Sequence, residues 1–529
     1  MNKEVILLAD GYKLSHHKMY PVGIEMVYSN FTPRGNKFFP EAKEGSVVFG
    51  LQYFIKEYLI KQFNENFFNR PRQEVLDEYV NRVKNFTGDT DCDHIAALYD
   101  LGYLPIEIKA LPEGSVCPIR VPMLTIKNTH PDFAWLTNYL ESLMSNVLWM
   151  PCTSATGARI AKKQLKAHAD KTGFPADVNL GFAMHDFSMR GMNSVESAIV
   201  SGMAHMTSFC GTETIPAIRA VEEYYGADAS KELVAATVPA TEHSIECSNA
   251  IFDVDEDGNT IVDETDYFRR LITEVYPNGF ISIVSDGFDF WNVIENILPQ
   301  LKDEIMARDG RVIIRPDSGN PTDIICGLRT NSQYHTKITE EGGKVHYWCN
   351  YNPFVDDSSY VEVSEGQYYG AYYMLGKIFG WQTTEKGYNY PDNHIGMIYG
   401  DAITLERQRH IYERLEGAHL AACNLVLARG SFEYQFKSRD SLSFAVKCTA
   451  VRINGELKPI FKKPKTDDGT KNSLKGLIWV TQENSQYVAH DEATEEQEAC
   501  GCLETIFKDG KLVKEYTLAE IRERIDAGL

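Results

Sequence analysis

Short apolar runs alternate with segments of helical periodicity through the middle of the chain. The runs are rich in β-branched residues and the periodic segments repeat their apolar positions every three or four residues, which predicts strands followed by helices. Repeated βα units require a parallel sheet, and their number favours a closed barrel over an open sheet. In chain order, the predicted elements are a strand near 181–183, helices over 194–209 and 214–226, a strand before His243, a helix over 266–276, a strand over 281–285, a helix over 290–307, strands over 311–315 and 396–399, a helix over 404–417 and a strand over 424–428.

The alternation breaks between residues 329 and 370, where Tyr, Asp, Glu and Gly are frequent. This composition is typical of a hairpin-like insertion rather than a helix. Nearer the C-terminus the pattern changes to short strands and turns. The last segment, TLAEIRERIDAG, begins with Thr517 three residues before Glu520, and this spacing predicts a capped helix.

These changes of pattern divide the chain into two domains. An α/β barrel is expected over 176–440, with the insertion at about 329–370 inside it. Residues 1–175 and 441–529 are expected to form the second domain. The predicted fold class is therefore α/β, an irregular (β/α) barrel with a second α+β domain formed from both chain ends.

The 529 residues carry a formal net charge of −21. Because no basic excess can displace counterions, nucleic acid is not an expected partner, and any phosphate site must be a local cluster. No apolar run is long enough to span a membrane, and the start MNKEVILLADGYK meets Asp10 too soon for a signal peptide. The 11 cysteines lack zinc-ligand spacing, which predicts reduced thiols in a cytoplasm.

The segment IIRPDSGNP, residues 313–321, carries the most specific chemistry. A strand that runs into this sequence delivers Arg315 and Asp317 to the rim of a sheet, where α/β proteins bind ligands. An arginine suits a phosphate and a carboxylate suits a sugar diol, which indicates a sugar-phosphate site. The alternative is an ordinary strand exit whose arginine and aspartate pair on the surface.

Four further strand ends carry similar polar clusters. Five clusters at the same end of successive strands indicate an active-site face. The four segments are GFAMHDFSMRG (181–191), ATVPATEHS (236–244), ISIVSDGFD (281–289) and GMIYGDAIT (396–404).

Seven motifs, in order along nearly the whole chain, resemble the nicotinamide phosphoribosyltransferase family: LLADGYKLSHHKMYP, HDFSMRG, GTE, VPATEHS, IVSDGFD, IIRPDSGNP and LETIFKDGKLVKEY. The resemblance implies a type II phosphoribosyltransferase fold. It also implies the reaction of nicotinamide with 5-phosphoribosyl 1-pyrophosphate (PRPP), giving nicotinamide mononucleotide and pyrophosphate in NAD salvage, with Mg²⁺ and ATP as cofactors. A nicotinate or other pyridine phosphoribosyltransferase and a catalytically silent homologue are the alternatives.

The resemblance assigns the residues around the pyridine ring and the ribose. Phe187 and Tyr12 stack on the two faces of the ring, and Arg190 meets the phosphate or the ring. Arg315 lies beside the ring and ribose. Asp317, an expected catalytic residue, and Asp401 are the ribose carboxylates. The other expected substrate contacts are Ser282, Gly400 and Asp10. Without the resemblance, Phe187 is a core residue, Tyr12 a helix-start aromatic and Asp401 a helix N-cap.

The phosphate side is expected to rely on backbone amides and a few cations. Gly430, Ser431 and Arg439 match the phosphate loop of the family. This loop has only one glycine, and Arg429 is expected to supply part of the charge. Basic residues on the pyrophosphate and ATP side are Arg34, Lys447, Lys462 and Lys471. Any one of these lysines, taken alone, is an ordinary solvated charge.

His243 is the expected catalytic residue. By resemblance it is phosphorylated by ATP, and the phosphohistidine improves binding and turnover of PRPP. Imidazole titrates near neutrality, and a neighbouring carboxylate can fix its tautomer. Asp286 matches the orienting aspartate of the family, and Glu242 is the adjacent alternative. A lone histidine after a strand is otherwise a structural group.

One position departs from the family pattern. Where the family has Gly-Thr-Asp-Thr, this chain has Gly211-Thr212-Glu213-Thr214. Glu213 keeps a carboxylate that accepts from a carboxamide and repels nicotinate, but its side chain extends one methylene further. The position of the ring in the site is what this change affects.

The resemblance also implies a homodimer with composite active sites. Asp10 and Tyr12 are expected to enter the site of a partner subunit, far in sequence from the barrel residues. A closed two-fold dimer then carries two such sites.

Overall fold

The computed structural model describes residues 4–254, 258, 260–352, 359–463 and 473–529. The strands are β1 Ile24–Thr32, β2 Ser46–Val47, β3 Ile106–Ala110, β4 Val116–Cys117, β5 Leu124–Asn128, β6 Met184–Asp186, β7 Gly211–Thr212, β8 Ile251–Val254, β9 Thr260–Asp263, β10 Asn278–Val284, β11 Asp309–Arg315, β12 His335–Glu341, β13 Lys344–Asn350, β14 Val361–Val363, β15 Trp381–Thr383, β16 Asn389–Pro391, β17 Ile395–Tyr399, β18 Leu425–Arg429, β19 Ala445–Ile453, β20 Glu456–Pro459, β21 Leu477–Glu483, β22 Gln486–Ala493, β23 Glu504–Lys508 and β24 Lys511–Leu512.

The α-helices are α1 Leu51–Tyr53, α2 Arg72–Val83, α3 Asp93–Leu101, α4 Ala134–Tyr139, α5 Glu141–Thr172, α6 Val195–Met206, α7 Ile215–Tyr225, α8 His243–Asn249, α9 Thr265–Arg270, α10 Phe290–Asn292, α11 Leu298–Gln300, α12 Lys302–Met306, α13 Pro321–Cys326, α14 Glu365–Tyr369, α15 Ala371–Phe379, α16 Leu405–Gly417, α17 Ser431–Tyr434, α18 Glu495–Ala499 and α19 Leu518–Asp526. Wider π-type turns extend α1 through Phe54–Gln62 and Asn64–Phe68, extend α9 through Leu271–Val275, and join α10 to α11 through Val293–Ile297. The N-terminal segment Gly11–Lys18 is a 3-10 helix.

Both chain ends contribute to one seven-stranded sheet, in the order β20-β19-β1-β5-β3-β23-β24. β1 lies inside it, because Ser29 pairs with Ile126 on one side and with Cys448 on the other. All its pairings are antiparallel. Strands from the N-terminal and C-terminal regions thus share one sheet, while the exact domain boundaries stay a prediction.

A second sheet of six parallel strands has the order β10-β11-β17-β18-β6-β7. Single parallel bridges from Gly211 to Ala236 and from Ala240 to Ser282 join its two edge strands through the segment 236–240. The ring closes as an irregular barrel, which confirms the predicted fold class. The strand predicted before His243 was wrong: this segment forms only bridges, since Pro239 has no N–H for a ladder.

Two other predicted elements differ from the structure. The strand near 181–183 begins later, at Met184, because Asn179 caps a 3-10 turn by accepting from the Gly181 amide at 2.9 Å. The helix over 290–307 is broken into short pieces. Pro299 lacks the N–H that would continue the regular hydrogen bonding, and the π-type turn lies immediately before it.

The insertion contains a three-stranded antiparallel sheet of β12, β13 and β14, which confirms the hairpin-like prediction for its described residues. The predicted terminal helix is also present as α19. Thr517 and Glu520 form the capping box at its start. Among the described residues, no helix is both long and apolar enough to cross a bilayer.

Candidate active site

The parallel register brings the predicted polar clusters to one rim of the barrel. Val284 pairs with Arg315 between β10 and β11, and Arg429 pairs with Asp186 between β18 and β6. The residues that follow these strands therefore leave the sheet at the same end. Asp286, Asp317, Asp401, Gly430 and Phe187 all belong to such strand exits.

His243 begins α8, and its Nε2 lies 3.2 Å from Asp286 Oδ1. The imidazole side chain is 49% exposed, whereas the Asp286 side chain is only 2% exposed. Asp286 Oδ2 accepts from the backbone amides of Asp317 at 2.8 Å and Ser318 at 2.7 Å. Two backbone amides therefore fix Asp286 Oδ2, and Asp286 Oδ1 orients the imidazole ring of His243.

The same contacts set the protonation of Asp286. Burial alone raises the pKa of its carboxyl group, but hydrogen bonds from Ser318, from the Asp317 amide and from His243 outweigh burial and lower the pKa. Asp286 is consequently ionised and can stabilise a positive imidazole ring. Glu242, the alternative partner, accepts from Ser244 through its own Oε1 and has no recorded hydrogen bond to His243 in the described part of the chain.

Arg315 is oriented by Thr241, whose carbonyl oxygen accepts from its Nη2 at 2.6 Å. No ion pair between Arg315 and Asp317 is found within 4 Å among the described residues, so the surface-pair alternative is not supported. Burial raises the pKa of Asp317, and the positive charge of Arg315 partly opposes this rise. The Asp317 carboxylate is therefore partly desolvated and lies near both a cation and two further carboxylates, Asp286 and Asp401.

Gly400 lets the aromatic and acidic parts of the site approach each other. A Cβ at this position would lie 3.0 Å from Phe187 Cε2 and 3.2 Å from Asp317 Oδ1. The absence of a side chain therefore leaves room at the meeting point of the two groups. Asp401 follows on the exposed side, and it is not the N-cap of α16, because Thr404 occupies that position.

A cavity of about 430 Å³ opens inside the barrel. Its apolar wall includes Phe187, which packs with Val238, Ile313, Ile398 and Val426. Its polar wall includes Glu213, Ser282 and Arg315. A flat, nearly apolar ring with one polar substituent matches this combination of walls.

Glu213 is held at the cavity wall by its neighbours. Its backbone amide donates to the Asp186 carbonyl at 2.9 Å. Its carboxylate Oε1 accepts a hydrogen bond from Thr237 Oγ1. Sequence reasoning missed Thr237, although it lies inside the quoted segment ATVPATEHS.

The predicted phosphate loop, residues 428–431, starts in the last residues of β18, and its Ser431 begins α17. A Cβ on Gly191 would lie 2.1 Å from Ser431 Oγ, so the segments with Arg190 and Ser431 are in close contact. Arg190 itself is exposed. These residues therefore form one continuous edge of the site.

The expectation that Arg429 supplies charge to the phosphate is wrong. Its side chain is 0% exposed, and Nη2 lies 2.6 Å from Glu433 Oε1 in the interior. The guanidinium also lies over the Tyr434 ring. Because its charge is neutralised behind the loop, Arg429 supports the loop rather than the ligand.

Three of the predicted pyrophosphate-side cations, Arg34, Lys447 and Lys462, lie near one another and near Arg439 of the predicted phosphate loop. Burial lowers the pKa of Lys447, and the nearby positive charges of Arg34, Lys462 and Arg439 lower it further. Glu141 faces the same ammonium group and opposes this effect. Lys471 lies outside the described residues. A local cluster of four cations therefore exists in a protein of strongly negative net charge.

The N-terminal segment lies close to this cluster. Lys13 pairs with Glu141, the carboxylate that also faces Lys447. Asp10 accepts from Ser142 Oγ, and Tyr12 is 62% exposed. In the described ranges no recorded contact joins Asp10 or Tyr12 to the barrel rim of the same chain.

Comparison with known proteins places this geometry in a family. A profile of the nicotinate phosphoribosyltransferase family matches residues 182–511, and one of the nicotinamide phosphoribosyltransferase N-terminal domain matches residues 4–108. Nicotinamide phosphoribosyltransferase of Acinetobacter baylyi is 40% identical over 527 residues, covering 98% of this chain and 96% of that protein. The chain belongs to the nicotinamide phosphoribosyltransferase family.

A second nicotinamide phosphoribosyltransferase, from Xanthomonas campestris, is 29% identical over 542 residues and is covered over 98% of its length. Nicotinate-nucleotide pyrophosphorylase from Pyrococcus furiosus superposes with a TM-score of 0.54 at 15% identity, covering 99% of this chain and 95% of that one. Human nicotinic acid phosphoribosyltransferase gives 0.51 at 13% identity, with 98% and 93% covered. These structures confirm the type II phosphoribosyltransferase fold.

Proposed function

We propose that this member of the nicotinamide phosphoribosyltransferase family transfers the 5-phosphoribosyl group of PRPP to nicotinamide in NAD salvage. The observation that carries the proposal is the position of Glu213 in the same cavity as Phe187 and Arg315. A ring on Phe187 presents its carboxamide to an acceptor, whereas a ring carboxylate would meet a like charge. A carboxylate at position 213 of the cavity wall therefore favours nicotinamide over nicotinate.

The chemistry requires negative charge near the ribose and positive charge near the leaving group. Breaking the bond from C1 to pyrophosphate creates oxocarbenium character, which Asp317 and Asp401 stabilise as anions. The cluster of Arg34, Lys447 and Lys462 suits the departing pyrophosphate. Arg315 positions the ring nitrogen for attack at C1.

Asp317 and Asp401 also fit the oxygen ligands that Mg²⁺ prefers. The negative charge of Asp401 helps to raise the pKa of Asp317, and a divalent cation would relieve that repulsion. No cluster of three or more His, Cys, Asp or Glu side chains suited to a metal ion occurs in the described part of the chain. The cation is therefore expected to share its coordination with phosphate oxygens of the substrate, where it neutralises the leaving group.

The exposed His243 fits the role of a phosphate acceptor from ATP. Asp286 engages Nε2 and stabilises the positive ring, which leaves Nδ1 as the nucleophilic nitrogen. Attack by Nδ1 on the γ-phosphorus breaks the bond to the β-phosphate oxygen and releases ADP. The phosphohistidine then lies on the same rim as the PRPP site.

A homodimer with shared sites completes the proposal. The ring has Phe187 on one face within the barrel, and Tyr12 of a second subunit supplies the other face. In the described part of the chain, the contacts of Tyr12 are to Lys13, Ser15 and His16 rather than to the rim of its own chain, which supports this arrangement. The cytoplasmic location and the lack of a nucleic-acid partner stay predictions from composition.

A product assay tests the proposed function. The protein is incubated with PRPP and Mg²⁺ and either nicotinamide or nicotinic acid, with and without ATP, and the mononucleotides are separated chromatographically. We expect nicotinamide mononucleotide, more of it with ATP, and little nicotinate mononucleotide. Asp317→Asn serves as the inactive control. Preference for nicotinic acid would select the nicotinate enzyme instead, and no product from either ring would indicate a silent homologue.

A further inference from the structure

The segment 236–240 faces Glu213 across the seam where the barrel closes. The Ala236 amide donates to the Cys210 carbonyl at 2.8 Å, and the Thr212 amide donates to the Ala236 carbonyl at 3.2 Å. Together with the Gly211–Ala236 bridge, these bonds fix the backbone on both sides of the seam. Thr237 is thereby placed opposite Glu213, and both side chains line the cavity.

Glutamate at position 213 needs such a partner more than aspartate would. Its extra methylene adds one rotatable bond, and a mobile carboxylate must lose that freedom before it can hold a ligand. The threonine side chain is stiff at χ1 because it is β-branched. Its hydroxyl donates to Glu213 Oε1, so one carboxylate oxygen is fixed and the direction of Oε2 is set.

The Glu213 carboxylate can accept from a carboxamide N–H and repels a ring carboxylate. The position of the carboxylate that amide selection needs thus depends on the Thr237 hydroxyl, which donates to Oε1.

We propose that Thr237 is a specificity-determining positioning residue, whose hydroxyl holds Glu213 where it accepts from a pyridine carboxamide and rejects a pyridine carboxylate. The inference rests on the proposed nicotinamide activity and goes beyond it. It names the side chain that allows a longer acid to serve at this position. The competing interpretation is a surface hydrogen bond without effect on the ligand.

The test compares Thr237→Val, which removes the hydroxyl at nearly constant volume, with Thr237→Ser, which retains it. We expect the valine variant to lose about tenfold in kcat/KM for nicotinamide, mostly through KM, because a charged hydrogen bond is lost. The serine variant should restore most of this loss. The preference for nicotinamide over nicotinic acid should fall by a similar factor in the valine variant only.

Thr383→Val is the matched control, since Thr383 donates to Asn389 Oδ1 at 2.9 Å on an exposed strand outside the cavity lining. It should keep the parental ratio for the two pyridines. Thermal denaturation of every variant establishes that the fold is intact. A valine variant with the parental nicotinamide preference and KM overturns the proposal.

Calorimetric titration with nicotinamide separates this inference from the proposed function. If the parent turns over neither pyridine, the proposed function fails, but binding still decides the role of Thr237. Weaker nicotinamide binding in Thr237→Val, restored in Thr237→Ser, supports the positioning role. Equal binding by all three proteins, or no binding by the parent, rejects it.

Discussion

Arg429 and Glu433 form an almost wholly buried ion pair one turn apart, with Arg429 Nη2 2.6 Å from Glu433 Oε1. The two side chains are 0% and 5% exposed, and Lys437 pairs with the same carboxylate. The pair lies directly behind Gly430 and Ser431. A single carboxylate therefore pairs with two cations and supports the loop expected to bind phosphate.

Glu433→Gln should destabilise the protein by about 3–5 kcal/mol, because it leaves a buried arginine without a counter-charge. The measurement is the free energy of unfolding in urea. Glu413→Gln is the matched control: Glu413 pairs with Arg409 at the same i,i+4 spacing on the surface. Loss of that exposed pair should lower the free energy of unfolding by no more than about 0.5 kcal/mol. Equal losses in the two variants would contradict the structural role of Glu433.

His243→Ala should abolish ATP hydrolysis and the stimulation of synthesis by ATP. The fold and some ATP-independent turnover should survive, because His243 is half exposed and Asp286 keeps its two backbone donors. Paired assays of ADP and nicotinamide mononucleotide measure both effects. His410→Ala, a change on α16 away from the rim, is the control. ATP hydrolysis at the parental rate in His243→Ala would remove this residue from the role.

Glu213→Gln should relax the discrimination against nicotinic acid. The change removes the negative charge but keeps the length of the side chain, so the effect reports the charge rather than a cavity. We expect a change on the order of 1–3 kcal/mol in relative transition-state stabilisation. The ratio of kcat/KM for the two pyridines is the measurement. An unchanged ratio would show that Glu213 does not contact the ring substituent.

Composite sites predict complementation between two inactive subunits. One subunit carries Asp10→Ala with Tyr12→Ala, and the other carries Arg315→Ala. In each mixed dimer, one site combines the unmutated barrel of the first subunit with the unmutated N-terminal segment of the second. Activity should therefore return after subunit exchange. Differently tagged subunits confirm the exchange. Mixed dimers that stay inactive would show that the N-terminal residues act within their own chain or not at all.

Glu246 and Glu264 predict a stability change with pH. Both are almost fully buried, and burial raises the pKa of each, with Glu264 also repelling Glu246. His243 and the Gly287 amide face Glu246 and oppose the rise, while Asp263, Asp289 and Asp286 face Glu264 and strengthen it. Glu246 therefore retains its proton in the folded protein well above the ordinary carboxyl range.

A raised carboxyl pKa gives stability that is complete below the unfolded pKa near 4.5 and is lost as pH rises through the folded value. Glu246→Gln has a neutral side chain at all pH values. Its free energy of unfolding should therefore exceed that of the parent by an amount that grows as the pH rises from about 5 into the alkaline range. The gain is about 1.4 kcal/mol for each pKa unit of the shift. Urea unfolding of both proteins over this range measures it. Parallel curves for the two proteins would mean that Glu246 does not retain a proton.

The sequence predicted candidate site residues best where polar side chains directly follow a predicted strand. Arg315, Asp317 and Asp401 were predictable because parallel strands deliver their exits to one rim. The contact between Thr237 and Glu213 was not, since it spans two loops and depends on the barrel seam. Arg429 was misassigned because a cation beside a glycine is typical of a phosphate-binding site. Its burial depends instead on the helices that pack around it, which the local sequence does not reveal. The i,i+4 spacing of Arg429 and Glu433 was the feature of the sequence that could have predicted their ion pair.

The mixed origin of the seven-stranded sheet has a consequence for synthesis on the ribosome. The strands β1, β5 and β3 are made first and form the middle of the sheet, while β19 and β23 cover its two sides only after the barrel residues have emerged. Until then both edges of the nascent three-stranded core present unpaired backbone groups, the arrangement that invites aggregation. The barrel sequence therefore delays closure of the sheet, and a nascent chain stalled before residue 445 would keep both edges open.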